Sequence, residues 1–380
     1  MYIQDKEAGI YRKLNLKQGS VEKISNKLTF WETGGLDRCW IAESARLKNR
    51  RLIEGNNMEF KNTHRAMVFP GQGSQYVGMG KKLAEQHPVA KEVFQEVDDA
   101  LGTPLFKLMC EGPEEELILT KNAQPALMAN SLAVIRVIEA ETRKKINELV
   151  DYVAGHSLGE YSALAATNAI SLYDAAKLLR LRGESMQAAV PVGDGAMAAL
   201  LGADMGVVTK LVNEASKIGI CEIANDNAPG QIVISGEAKA VNEAINMSSD
   251  FGVRKAMSLP VSAPFHCSMM KPAAEVMAAA LETTVINSPD IPLVANVSAL
   301  VGSGDPSDIR NSLVEQVTSL VRWRETVLWL SKQNISSIVE IGAGKILSGM
   351  NKRIDKELIS LSIAEWNEID EFLKKIESGE

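Results

Sequence analysis

From Ala66 onward, short apolar runs alternate with stretches whose apolar residues recur every three or four positions, a pattern that predicts an α/β fold. Ala66-Met67-Val68-Phe69 reads as a buried strand, stopped by Pro70-Gly71. Between about Gln124 and Lys145, Leu127, Leu132, Ile135 and Ile138 recur at helical spacing, and Tyr152-Val153-Ala154 follows as a second short strand. Strand, helix, strand order favours a parallel sheet, to which Pro292-Leu293-Val294-Ala295 and the run from Ile335 to Ile341 are expected to add strands.

A different rhythm runs from about Pro191 to Pro260. Ala196 to Leu201 reads as a strand and 204–218 as a helix. Ile220 to Ile223 and Ile232 to Ile234 form a hairpin around Asn227-Ala228-Pro229-Gly230, 237–249 is a second helix, and Val253 to Met257 a last strand. That β-α-β-β-α-β order is ferredoxin-like. The expected architecture is therefore a hydrolase-like α/β core with a mostly parallel sheet, built from 63–190 and 258–375, with a ferredoxin-like subdomain inserted at 191–257. A cleft between the two is the expected ligand site.

Charge sets the N-terminal segment apart. Residues 1–65 hold 13 Lys and Arg against 8 Asp and Glu, leaving 28 against 40 for the rest of a chain whose net charge is −7. The segment shows no sustained apolar period and is broken by Gly34-Gly35 and Gly55-Asn56-Asn57. Residues 1–62 are expected to form a poorly ordered extension, with Met58 a candidate start. The acidic balance of the remainder excludes a general nucleic-acid surface. No apolar run approaches a membrane span, and Cys39, Cys110, Cys221 and Cys267 lack metal or disulfide spacing, so a cytoplasmic, metal-free monomer is expected.

The candidate chemistry begins at Gly155-His156-Ser157-Leu158-Gly159-Glu160, a G-x-S-x-G frame placed directly after a strand and before the small-residue helix Tyr161 to Ala166. Glycines two before and two after a serine allow a sharp strand-to-helix turn that exposes Oγ, and the N–H groups opening the helix can hold an oxyanion. The bland reading is a chance match in a chain with 28 glycines.

A serine nucleophile needs a base, and there are four histidines. His64 precedes the first core strand, His87 sits before Pro88 at a helix end, and His156 adjoins the serine on a tight turn and points elsewhere. His266 remains, where the chain re-enters the larger domain, against the alternative of a hydrogen-bonded loop residue. Ser171 and Asp174 make a capping box for a helix with inward residues Leu172, Ala175, Ala176, Leu179 and Met186; Arg182 shares that stripe. An inward guanidinium needs an anion, either a ligand carboxylate or an internal Asp or Glu.

Together with Phe69-Pro70-Gly71-Gln72-Gly73-Ser74-Gln75, Gln124-Pro125-Ala126-Leu127, Asn227-Ala228-Pro229-Gly230-Gln231, Pro264-Phe265-His266-Cys267 and Glu340 to Lys345, these residues resemble the malonyl-CoA:acyl carrier protein transacylases of fatty-acid synthesis, over about residues 65–365. The resemblance implies malonyl transfer from malonyl-CoA to the phosphopantetheine thiol of acyl carrier protein, without a cofactor. It implies Ser157 as nucleophile, His266 as base, Arg182 on the malonyl carboxylate, the backbone N–H groups of Gln72 and Leu158 as oxyanion hole, and the main-chain carbonyl of Gln316 orienting the histidine. Leu320 and Ala343 stand where that family commonly has proline. An acidic carrier would need a basic patch, for which Lys345, Lys352 and Arg353 are candidates, the alternative being a solvated helix face. The rival enzyme is a patatin-like or α/β-hydrolase lipase using Asp194 of Asp194-Gly195-Ala196; a non-catalytic carrier-docking module is the other alternative.

Overall fold

The computed structural model describes residues 2–5, 10–13, 64–261 and 263–378. Strands β1 (Tyr2–Asp5) and β2 (Ile10–Lys13) pair antiparallel. The rest of the expected N-terminal extension lies outside the described residues. Phe60–Glu380 forms one compact unit with two sheets.

The larger sheet contains β3 (Arg65–Phe69), β4 (Tyr152–Gly155), β9 (Leu293–Val294), β10 (Ser337–Ile341) and β11 (Ile359–Ile363), in the order β11-β10-β3-β4-β9 with every pair parallel. Successive side chains of a strand face opposite sides, and both sides here are covered. Met67, Phe69 and Val153 join one apolar core; Ala66, Val68 and Ala154 join the other. This is why β3 reads as an unbroken apolar run.

The smaller sheet is antiparallel, in the order β6 (Cys221–Ala228), β7 (Gln231–Glu237), β5 (Gly195–Leu201), β8 (Lys255–Ser258). Numbering only helices of eight residues or more, the chain has α1 (Pro88–Leu101), α2 (Thr120–Thr142), α3 (Gly159–Ala166), α4 (Leu172–Ala188), α5 (Met205–Ala215), α6 (Ala238–Met247), α7 (Lys271–Thr283), α8 (Pro306–Gln316), α9 (Trp323–Lys332), α10 (Ile346–Ile354) and α11 (Trp366–Ser378). Ala198 and Leu200 of β5 pack with Val208 and Leu211 of α5 and Val241 of α6. The alternate residues Met197 and Ala199 face the large core. The fold is an α/β hydrolase-like core with a ferredoxin-like β-α-β-β-α-β element.

Two features differ from the sequence pattern. Asn227 and Ala228, expected in the hairpin turn, belong to β6, leaving Pro229 and Gly230 to turn the chain. The polar residues of β6 are stabilised by distant partners invisible in local sequence: Asp226 receives Arg324 Nη2 at 2.7 Å and Asn227 Oδ1 lies 2.8 Å from His156 Nε2. Strand β11, not anticipated, adds a parallel edge beside β10. Among the described residues no helix is long and apolar enough to cross a membrane.

Candidate active site

Neighbouring strands β3 and β4 end at the same edge of the large sheet, and the loops leaving them carry Gln72 and Ser157. Loops at the carboxyl edge of a parallel sheet are its usual ligand site. The turn after β4 is sterically closed around its glycines. A Cβ on Gly155 would lie 1.9 Å from the carbonyl carbon of Gly159, and one on Gly159 would lie 2.2 Å from the Phe69 carbonyl oxygen. Ser157 itself takes φ 53°, the left-handed conformation a nucleophile elbow demands. Leu158 is the N-cap residue of α3, where backbone N–H groups have no intrahelical acceptor.

His266 arrives from the loop that follows β8, also at positive φ, 58°. Its Nε2 lies 2.8 Å from Ser157 Oγ and its Nδ1 lies 2.9 Å from the Gln316 carbonyl oxygen. A carbonyl only accepts, so Nδ1 carries the proton and Nε2 is left as acceptor for the serine hydroxyl. Burial, then the positive charge of Arg182, push the imidazole down to about 3, so it is neutral at physiological pH with Nε2 unprotonated.

Arg182 points inward from α4 and is buried. Nη1 donates to Gln124 Oε1 at 2.8 Å; Nη2 donates to Gln316 Oε1 at 2.9 Å and to Ser157 Oγ at 3.2 Å. Its partners are amide oxygens and a hydroxyl. Among the described residues no carboxylate makes an ion pair with it, so the internal salt bridge considered from sequence is not formed. Burial lowers its pKa. Its Nε, and the hydroxyl of Tyr161 whose ring centroid lies 5.8 Å from the guanidinium, are buried without hydrogen-bond partners. A buried cation that no carboxylate neutralises is chemically suited to pair with an anion.

Four contributors were not assigned a role from sequence: Gln124, Glu160, Asn296 and the side chain of Gln316. Asn296 Oδ1 accepts from the Ser157 N–H at 2.7 Å and its Nδ2 donates to the Gly155 carbonyl at 2.5 Å. Gln316 Nε2 donates to Ser157 O at 3.0 Å and to Glu160 Oε2 at 2.6 Å. One signal was available for Gln124, a polar residue inside the apolar run of α2, comparable to the argument that found Arg182.

The remaining candidates make other contacts. His156 holds Asn227 and packs beside Trp323, with ring centroids 5.8 Å apart. His64 meets the Asn334 carbonyl, and His87 packs on Trp366. Asp194 is exposed at the entrance to β5, while the partners of the Ser157 hydroxyl are His266 and Arg182. Gln72 lies in the loop after β3 and its side chain donates to Thr120 Oγ1 at 3.3 Å. Lys345 pairs with Glu368 at 3.0 Å, Arg353 donates to Gln231 Oε1 at 2.7 Å, and Lys352 is exposed. Among the described residues no group of three or more His, Cys, Asp or Glu could hold a metal ion.

Residues 66–350 match the acyl transferase domain family. The malonyl CoA-acyl carrier protein transacylase of Bacillus subtilis (strain 168) is 45% identical over 306 residues, 80% of this chain and 95% of that protein. The chain belongs to the malonyl CoA-acyl carrier protein transacylases. Among solved structures of this family, an acyl-carrier-protein S-malonyltransferase from Bartonella henselae is 51% identical, with a TM-score of 0.80 over 82% of this chain and 99% of the other. A malonyl-transacylase in complex with its type II PKS acyl-carrier protein is 41% identical, with a TM-score of 0.79 over 82% of this chain and 99% of the other. These relatives are matched over 95% to 99% of their own length.

Proposed function

We propose that this acyltransferase carries malonyl groups from malonyl-CoA to the phosphopantetheine thiol of acyl carrier protein through an ester on Ser157. The observation that carries the reading is the neutral Ser157–His266 pair set beside a buried Arg182 whose contacts include no carboxylate.

In the first half-reaction Ser157 Oγ attacks the thioester carbonyl and its proton passes to His266 Nε2. The backbone N–H groups of Gln72 and Leu158 stabilise the tetrahedral oxyanion, which collapses to the ester as CoA leaves with the proton from His266. The Gln316 carbonyl stabilises the transient imidazolium by accepting from Nδ1. In the second half-reaction the carrier thiol loses its proton to His266 and attacks the ester; the proton returns to Ser157 Oγ as the malonyl thioester forms. Arg182 pairs with the free malonyl carboxylate. An acetyl group would leave that guanidinium unpaired, which is the basis of selectivity. The dyad and Arg182 supply every charge these steps need, so no cofactor is required. Lys345, Lys352 and Arg353 are proposed to meet the acidic carrier. A cytoplasmic setting is part of this proposal, resting on cysteine spacing that suggests no disulfide framework.

The test is the intact mass of the protein after brief mixing with malonyl-CoA, beside Ser157→Ala. The wild type alone is expected to gain a malonyl adduct that holo carrier protein discharges. Steady CoA release with no adduct would favour a hydrolase, and carrier binding with no adduct would favour a docking module.

A further inference from the structure

The strained peptide of Ser157 is held at both ends by side chains, its N–H on Asn296 Oδ1 and its carbonyl under Gln316 Nε2. These two holders meet on a third residue. Glu160 Oε2 accepts from Gln316 Nε2 at 2.6 Å and from the Asn296 N–H at 3.2 Å. Gln316 also gives its carbonyl to His266 and its Oε1 to Arg182, and Asn296 also ties down Gly155. The groups that orient nucleophile, base and guanidinium therefore converge on one carboxylate oxygen in the first turn of α3, itself 1% exposed.

We infer that Glu160 is a positioning residue of acyl transfer, acting in its ionised form through Gln316 and Asn296 and touching no substrate atom. The inference rests on the acyl-transfer reading above. Both donors to Oε2 are N–H groups, and a carboxylate accepts them more strongly than a neutral carboxyl does. The charged and titratable groups coupled to it are Arg182 from α4 and Tyr161 from its own helix; α8 and the segment after β9 present only the amides of Gln316 and Asn296. Burial raises its pKa to about 7 against the lowering effect of Gln316, Asn296 and Arg182. His266 and His156 are both held below the ordinary histidine range by burial, and Tyr161 is pushed up to about 12. Within this cluster Glu160 is thus the group that titrates near neutrality, and acylation is supported above that pH and lost as pH falls through it.

Stability runs the other way. A raised carboxyl pKa means the folded chain holds this proton more tightly than the unfolded chain between 4.5 and about 7, so the contribution of Glu160 to stability declines as pH rises through that window. A merely structural role would make E160Q both slower and less stable. A positioning role makes it slower with no loss of melting temperature above neutrality.

The experiment is single-turnover malonylation of Ser157, read by intact mass from roughly pH 5.5 to 8.5, for wild type, E160Q and E160D, with melting temperatures alongside. The wild-type rate is expected to fall by about tenfold per pH unit below neutrality. E160Q should be slower at pH 8 by about 10- to 100-fold with KM for malonyl-CoA nearly unchanged, and flat with pH; E160D should regain the acid limb. Equal rates and profiles for wild type and E160Q, or a wild type flat across the range, would overturn the inference; should E160Q fail to fold, the wild-type profile decides alone. No adduct on the wild type at any pH would instead sink the acyl-transfer reading.

Discussion

The two sheets use their backbones in opposite ways. In the small antiparallel sheet, side chains alternate cleanly between the helices, through Ala198, Leu200, Ile232 and Ile234, and the large core, through Met197, Ala199 and Val233. At the edge of the large sheet, polar Gln124, Glu160, Arg182, His266, Asn296 and Gln316 are all buried, and two residues of the site sit at positive φ. Local pattern and fold agree in the first region and conflict in the second. The conflict is resolved by hydrogen bonds that link these six side chains to one another and to the Ser157 backbone and hydroxyl.

The largest expected effect that sharpens this contrast is on the elbow backbone. Gly155→Ala places a Cβ 1.9 Å from a backbone carbon, which cannot swing aside as a side chain end could. A loss of about 4 kcal/mol or more is expected, enough to deplete the folded protein. Denaturant unfolding checks this, and a midpoint matching wild type would show that the turn has slack. Next is Arg182→Ala, which should cost malonyl transfer about 10^3-fold, or roughly 4 kcal/mol of transition-state stabilisation, while acetyl transfer falls far less. Equal losses for the two acyl groups would remove Arg182 from the carboxylate role.

Legibility in the sequence follows the same division. Strands β3 and β4 were readable because burial on both faces leaves a continuous apolar run, and the small subdomain because its elements obey the periods of helix and strand. The hairpin turn was misplaced because Asp226 and Asn227 resemble turn residues until Arg324 and His156, far along the chain, are brought to them. Ser157 announced itself through the steric need for glycine on both sides, and Arg182 through a charge on an apolar stripe. Asn296 and Glu160 carried no such mark. An asparagine after a two-residue strand and a glutamate in a helix's first turn are ordinary in sequence, and their contacts with Ser157, Gly155 and Gln316 exist only in three dimensions.

The smallest effect is the control from the other region. Gly252, between α6 and β8, also takes a positive φ, +84°, but nothing lies within 4 Å of where a Cβ would be. Gly252→Ala therefore meets only the backbone penalty of a left-handed alanine, about 1 kcal/mol. The substitution leaves the Ser157 to Glu160 network untouched, so the rate of malonylation per folded molecule should equal that of wild type. If Gly252→Ala were as damaging as Gly155→Ala, a β-carbon would be costly even where nothing stands within 4 Å of it, and the close approach of β4, α3 and Phe69 would lose its claim to be what fixes the G-x-S-x-G spacing. A small, purely thermodynamic loss at Gly252 beside a large one at Gly155, which lies outside the left-handed region, would assign the elbow glycine to packing against backbone.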